Sequence, residues 1–153
     1  MDKKSYVNLK HARTEEQVKV MTKIQKDGVC PFCTEHFLKY HPKPILHENE
    51  FWLVTENMSP YEGSVHHFLF VCKRHFAMPT EMTSQERIAL FDLVNLMTEE
   101  KGILGGSILI RFGDTRFTGA SVDHFHAHLV VGDMNDEGRE SLKTKIGYKR
   151  PWG

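Results

Sequence analysis

The chain has 153 residues, 40% of them apolar, and its 20 basic and 20 acidic side chains cancel. This length suits a single domain with its own core, which we predict over 1–153. Balanced charge gives no support for binding to nucleic acid or to a membrane through bulk charge. The N-terminal sequence lacks the apolar core of a signal peptide, and no apolar run approaches the roughly 18 residues of a membrane span. We therefore expect a cytoplasmic protein.

Two main helices are predicted from their end signals. Thr14 with Gln17 resembles a capping box and opens a helix over about 14–27. A second helix begins around Thr83 and stops at Gly102. Its apolar residues recur at i, i+3, i+4 and i+7, which is typical of a buried stripe.

Short apolar runs predict five strands, at 44–47, 51–56, 66–72, 107–112 and 123–131. Most of the connections are short enough for antiparallel pairing. The sequence therefore predicts an α+β fold, with an antiparallel sheet of about five strands and helices packed on it. The core would span about 30–132, followed by a C-terminal tail at 133–153.

The run "DHFHAHLVVGD" places His124, His126 and His128 at every second position. Side chains alternate across a strand, so the three imidazoles share one face and apolar residues line the other. Buried ring nitrogens need partners, so a plain core is a poor explanation. Three hypotheses remain, namely partly exposed histidines on a sheet edge, a metal site, and nucleophilic catalysis on phosphorus.

The run "HFHAHLVV" matches the pattern His-φ-His-φ-His-φ-φ, in which φ is apolar, and so resembles the histidine triad superfamily of nucleotide hydrolases and transferases. Further similarities follow the order of that superfamily, at 48–61, 67–75 and 118–124. The first of these segments is most similar to the dinucleoside polyphosphate phosphorylase and galactose-1-phosphate uridylyltransferase branches. Together they cover about 30–132.

This resemblance implies that His126 attacks the α-phosphorus of a nucleotide and forms a nucleotidyl-histidine. His128 would contact the α-phosphate or the leaving group. The superfamily often has a glycine-histidine pair where this chain has His66 and His67. His67 would support the catalytic ring, although either of the two could face the site.

The resemblance also implies substrate-binding residues. Ser121 matches a serine or threonine that contacts phosphate, and it follows Ala120 where the hydrolase branches usually have glutamine. Arg111 could supply charge to phosphate oxygens, or it could be a solvated arginine at a strand end. Asn57 and Met58 fall where relatives contact ribose and base, although Asn57 also suits a turn.

The pair Cys30 and Cys33 in "CPFC" is compatible with a metal site or with a redox pair. In zinc-bearing histidine triad proteins such a pair joins two histidines, which here are His75 and His124. The resemblance therefore implies one structural Zn²⁺ per chain. Cys72 is predicted as a buried strand residue.

We thus predict a nucleotidyl hydrolase or transferase for a small-molecule nucleotide, with dinucleoside polyphosphate cleavage favoured. Nucleoside phosphoramidate hydrolysis and a nucleotide- or zinc-binding regulatory module with little turnover are the alternatives. Water and orthophosphate both remain open as acceptor, and a homodimer is expected from the resemblance alone. Cations that could attract orthophosphate are Lys73, Arg74, Arg111 and Arg116. The remaining histidines, predicted as surface or turn residues, are His11, His36, His41 and His47.

Overall fold

The fold is built on a five-stranded, fully antiparallel sheet in the order β1-β2-β3-β5-β4. It is seen in a computed structural model that describes residues 5–135 and 137–152, so 1–4, 136 and 153 of the predicted domain and tail lie outside the described residues. The strands are β1 (Ile45–Glu48), β2 (Trp52–Glu56), β3 (His66–Cys72), β4 (Ser107–Leu109) and β5 (His126–Val131). The predicted α+β fold is confirmed.

Two strands are shorter than the apolar runs that predict them. β4 ends at Leu109 and not at 112, and β5 begins at His126 and not at 123. Before β5 the backbone bends and pairs with loops, because Asp123 N–H donates to Tyr6 O (2.7 Å) and Phe125 N–H donates to Phe76 O (2.7 Å). A pattern of side chains does not distinguish these partners from a neighbouring strand.

The main helices are α1 (Glu15–Asp27) and α3 (Ser84–Glu100), close to their predicted ranges. Two short helices were not predicted, α2 (Thr34–Tyr40) and α4 (Thr115–Thr118). Neither is long enough to display an apolar period. Within the part of the chain that the structure describes, no helix is both long and apolar enough to cross a membrane.

The caps of the main helices differ in detail. Thr83 and Glu86 form the reciprocal capping box of α3. At α1, Thr14 Oγ1 accepts from Gln17 N–H (3.0 Å), but Gln17 Oε1 accepts from Arg13 N–H (2.8 Å), one residue before the cap. The hydrogen bond to Gln17 holds the backbone of Arg13, whose side chain lines the cavity described below.

The two faces of β5 have different surroundings, as the alternation predicts. Its odd-numbered side chains, with Phe125 just before it, pack with α3 and Trp52 in the main core. The core residues of this segment are Phe125, Ala127, Leu129 and Val131, and each is at most 4% exposed. The histidines project from the opposite face, beneath α1 and α2.

Candidate functional site

The His126 ring is oriented by the backbone beside it. Its Nδ1 lies 2.6 Å from the carbonyl oxygen of His124, which can only accept, so Nδ1 carries the proton and donates. The lone pair is then on Nε2, and the residue lines a cavity. Burial lowers the pKa of His126 to about 4, so the ring is neutral at pH 7. A neutral imidazole with an available lone pair has the chemistry that a nucleophile requires.

His128 carries the opposite tautomer, which a chain of hydrogen bonds sets. Tyr61 N–H donates to His67 Nδ1 (3.0 Å), so the proton of His67 is on Nε2. That Nε2–H donates to His128 Nδ1 (2.8 Å), and His128 therefore holds its own proton on Nε2. Burial lowers the pKa of both rings, that of His67 to about 3, so each is a neutral donor at pH 7.

The structure answers which histidine of the pair at the start of β3 faces the site. His67 is buried against His128, with ring centroids 5.1 Å apart. His66 stacks on Phe68 on the other face of the sheet. Asn57 Nδ2 lies 3.0 Å from His67 Nε2, but both groups are donors once Tyr61 has fixed the tautomer, so this contact is packing and not a hydrogen bond. Asn57 Oδ1 accepts from Ser59 N–H (2.9 Å), which is the turn role considered for it.

One cavity of about 490 Å³ brings most of the predicted substrate-binding residues together. This volume is in the range of small-molecule sites. Its apolar walls include Met21 and Ile24 of α1 and Leu69 of β3. The predicted residues that line it are Asn57, Met58, Arg111, Ser121, His126 and His128. His67 lies behind His128.

Arginines flank Tyr61 at this cavity. The Arg13 guanidinium lies 4.6 Å from the Tyr61 ring centroid and donates to Ser59 O (2.5 Å). Arg111 donates to Tyr61 Oη (2.7 Å). The Tyr61 ring also stacks on His128, with centroids 5.9 Å apart. Neither residue was predicted for the site: Arg13 stands in no motif, and Tyr61 ends the 48–61 similarity without a role implied for it. Only the fold brings both to the triad.

Three of the cations predicted to supply charge do not line the cavity. Each is held by a carboxylate elsewhere, in the pairs Lys73–Glu48 (2.7 Å), Arg74–Glu86 (2.8 Å) and Arg116–Asp114 (2.5 Å). The predicted position is wrong for these three residues, and of the four only Arg111 lines the cavity. The family layout predicted them near the site, but in the structure each pairs with a carboxylate away from the cavity.

Two histidines predicted as surface or turn residues also line the cavity. His11 Nδ1 donates to Ala120 O (2.7 Å). His41 Nε2 lies 2.9 Å from Thr55 Oγ1, and burial lowers the pKa of His41 to about 4. Both are partly buried residues at helix ends, and the contact with the cavity was not predicted for them. The carbonyl and hydroxyl that hold them are distant in sequence, so local composition gave no signal.

A second cluster combines both cysteines of the "CPFC" loop with two histidines. One ligand atom from each of Cys30, Cys33, His75 and His124 lies within 4.8 Å of the others. The separations are 3.3 Å for Cys30 Sγ to His124 Nδ1, 3.5 Å for Cys33 Sγ to His75 Nδ1, and 3.1 Å between the two Nδ1 atoms. Tetrahedral zinc bond lengths require about 3.6 Å for S···N and about 3.4 Å for N···N.

The protonation chemistry of this cluster also fits a cation. His124 Nε2–H donates to Cys72 O (2.5 Å), which leaves its Nδ1 lone pair directed at the cysteines, the usual arrangement of a metal-bound imidazole. Burial raises the pKa of Cys30 to about 12, so its thiolate needs a positive partner. The cluster is compatible with Zn²⁺.

The two clusters are adjacent. His124 contributes its ring to the cysteine cluster and its carbonyl to His126. Phe32, between the two cysteines, packs edge-on against the His126 ring, with centroids 5.1 Å apart, and lines the cavity with Pro31.

Comparison with known proteins finds the same fold in solved structures. A HIT family hydrolase from Clostridium thermocellum is 27% identical, with a TM-score of 0.56 over 74% of this chain and 96% of that one. A histidine triad nucleotide-binding protein from Candida albicans is 21% identical, with a TM-score of 0.58 over 76% and 86%. A Zn-bound histidine triad family protein from Mycobacterium smegmatis is 21% identical, with a TM-score of 0.56 over 79% and 84%. No protein-family profile and no curated protein sequence matches the chain. The chain belongs to the histidine triad superfamily.

Proposed function

We propose that this protein is a nucleotidyl hydrolase or transferase that cleaves a nucleoside phosphate through a nucleotidyl-histidine on His126. One observation carries the proposal: the His124 carbonyl holds the proton of His126 on Nδ1 and leaves the Nε2 lone pair in a cavity flanked by arginines. Such a ring attacks phosphorus without first losing a proton.

In the first step the Nε2–P bond forms and the bond from phosphorus to the leaving group breaks. His126 keeps its Nδ1 proton, and the His124 carbonyl stabilises the positive charge that develops on the ring. His128, with a proton on Nε2, donates a hydrogen bond to a phosphate oxygen or to the leaving group. In the second step the acceptor attacks phosphorus, the N–P bond breaks, and the acceptor's proton passes to solvent or to the departing groups.

Substrate contacts follow from the cavity wall. Asn57 and Met58 would contact the ribose and base, and Ser121 and Arg111 the phosphates. We favour a dinucleoside polyphosphate, because Arg13 and Arg111 suit a substrate with several negative charges. A nucleoside phosphoramidate is the alternative substrate, and a binding module with little turnover is the alternative class.

A structural Zn²⁺ at Cys30, Cys33, His75 and His124 is part of the proposal. It would hold the "CPFC" loop against the sheet, and with it the cavity wall formed by Phe32. Cytoplasmic location and a homodimer stay predictions, the latter from family resemblance.

The first experiment tests the nucleophile. His126→Ala should lower turnover of diadenosine tetraphosphate at least about a thousandfold, because the covalent route is lost, while nucleotide affinity changes far less. His66→Ala is the matched control, since it removes an imidazole from the other face of the sheet. Mass spectrometry of an alkaline quench should detect an AMP adduct on wild type and none on His126→Ala. Near-normal turnover in His126→Ala would contradict the mechanism.

The second experiment identifies the acceptor. Wild-type protein is given diadenosine tetraphosphate with and without labelled orthophosphate. Phosphorolysis gives ADP plus ATP only with orthophosphate, and the label enters ADP. Hydrolysis gives AMP plus ATP at a rate that orthophosphate does not change. If no adenylylated substrate releases a mononucleotide, the protein is not the proposed enzyme and the binding-module alternative is favoured.

A further inference from the structure

The C-terminal segment 143–148 folds back along the side of the cavity and is held there at two points. Arg111 donates to Lys145 O (Nε, 3.0 Å) and to Thr144 Oγ1 (3.2 Å). Tyr148 Oη lies 2.9 Å from His11 Nε2, which accepts because His11 Nδ1 is a donor. Through Arg111 the segment is connected to Tyr61 and the triad.

The side chain of Lys145 lies across the glycine turn that precedes the triad. Gly119 has a φ of +78°, and a Cβ built there would be 2.7 Å from Lys145 Cδ. The two residues after this glycine, Ala120 and Ser121, line the cavity, as do Lys143 and Lys145 themselves. The tail therefore approaches the cavity where the sequence lacks the glutamine of the hydrolase branches.

This placement concentrates positive charge. Four cations line the cavity, and the carboxylate that lines it with them is Glu62. The four are Arg13, Arg111, Lys143 and Lys145. Among the described residues none of them has a carboxylate within ion-pair distance, although the chain as a whole has no net charge. Cations that line one cavity without carboxylate partners repel one another, and a bound polyanion relieves that repulsion.

We propose that Lys143 and Lys145, with Arg111, form a subsite for the phosphates of the leaving group and so select substrates whose leaving group is a polyphosphate. The inference rests on the proposed function and names its substrate class. Attack on a dinucleoside tetraphosphate expels a nucleoside triphosphate, whose charge the subsite would stabilise as it develops. A phosphoramidate expels an amine, which gains nothing from cations.

Two double variants test the subsite. Lys143→Ala/Lys145→Ala removes both charges and keeps the backbone carbonyl that accepts from Arg111. The matched control, Lys149→Ala/Arg150→Ala, removes two charges from exposed residues of the same tail outside the cavity. We expect kcat/KM for diadenosine tetraphosphate to fall about tenfold in the cavity variant and kcat/KM for adenosine phosphoramidate to change less than about twofold. The control should keep the wild-type ratio of the two substrates.

Binding of inorganic tripolyphosphate, measured by calorimetry, gives a readout independent of turnover. Its Kd should rise about tenfold in the cavity variant and remain near wild type in the control. Equal losses on both substrates, or equal tripolyphosphate affinity in wild type and the cavity variant, would overturn the subsite. Wild-type protein that turns over neither substrate would remove the proposed function, while the tripolyphosphate measurement would still decide whether the subsite exists.

Discussion

Replacing His67 by phenylalanine tests the relay that sets the tautomer of His128. Phenylalanine has a ring of similar size, so the buried position stays filled. The variant loses the acceptor of Tyr61 N–H and the donor to His128 Nδ1. Without that donor, His128 is free to carry its proton on Nδ1 and to direct a lone pair at the substrate.

The cost in stability can be worked from these two bonds. A buried N–H without an acceptor costs about 1–3 kcal/mol, and the second hydrogen bond about 1 kcal/mol. The free energy of unfolding should therefore fall by about 2–4 kcal/mol. For a chain of this length, that lowers Tm by about 5–15 °C.

Activity should fall further than stability explains. Loss of one oriented donor at developing charge lowers kcat by about a hundredfold, with a smaller change in KM. Nitrogen NMR of the His128 ring gives a direct measurement, because the variant should show a mixture of tautomers where wild type has the proton on Nε2. His67→Gln, whose amide can both accept and donate, should recover part of the loss.

His66→Phe is the control on the same strand, and it should retain kcat and the His128 tautomer. The reasoning is refuted if folded His67→Phe keeps wild-type kcat, or if His128 keeps its proton on Nε2 without the donor.

Three further predictions concern metal, pH and the core. Metal analysis should find about one zinc per chain. Cys30→Ser should have a larger effect on Tm than on the activity of the folded fraction. If protein produced with zinc supplied contains none, the proposed metal site is wrong. Burial lowers the pKa of His41 from 6.5 to about 4. As pH falls, His41 of the unfolded chain is therefore protonated near pH 6.5, whereas His41 of the folded chain is protonated only near pH 4. The free energy of unfolding therefore falls between pH 6.5 and about pH 4, by at most about 1.4 kcal/mol per pH unit. Urea unfolding at about pH 7 and about pH 5 should show a smaller fall for His41→Gln than for wild type. An equal fall in the two proteins would contradict the assignment. Glu86 accepts two hydrogen bonds from Arg74 (2.8 and 3.0 Å), so Glu86→Gln should lower the free energy of unfolding by about 2 kcal/mol, and unchanged stability in the same assay would show that the pair contributes nothing.

The sequence predicted the fold well because its signals are periodic. Alternation along β5 places Phe125 in the core and His126 on the opposite face, and nothing distant is needed to see it. The candidate ligands of the cysteine cluster came from family resemblance, and the structure brings their four ligand atoms together.

The sequence could not indicate contacts made by main-chain atoms or contacts between segments that are distant along the chain. The His124 carbonyl that orients His126 is present in every residue type, so no pattern marks it. Arg13 and Lys145 reach the cavity only because the start of a helix and the C-terminal tail both fold against its wall. Arg74, by contrast, stands inside a motif but is held elsewhere by Glu86.

The double use of His124 makes this site unusually open to redesign. Its ring belongs to the cysteine cluster, while the group that orients His126 is its main-chain oxygen. A side-chain replacement such as His124→Cys would therefore change the proposed ligand set from two thiolates to three, and with it the expected preference for softer metals, without removing the hydrogen bond to the neighbouring imidazole. The proposed metal site and the orientation of the proposed nucleophile are adjacent in space and in sequence, yet each could be altered without the other.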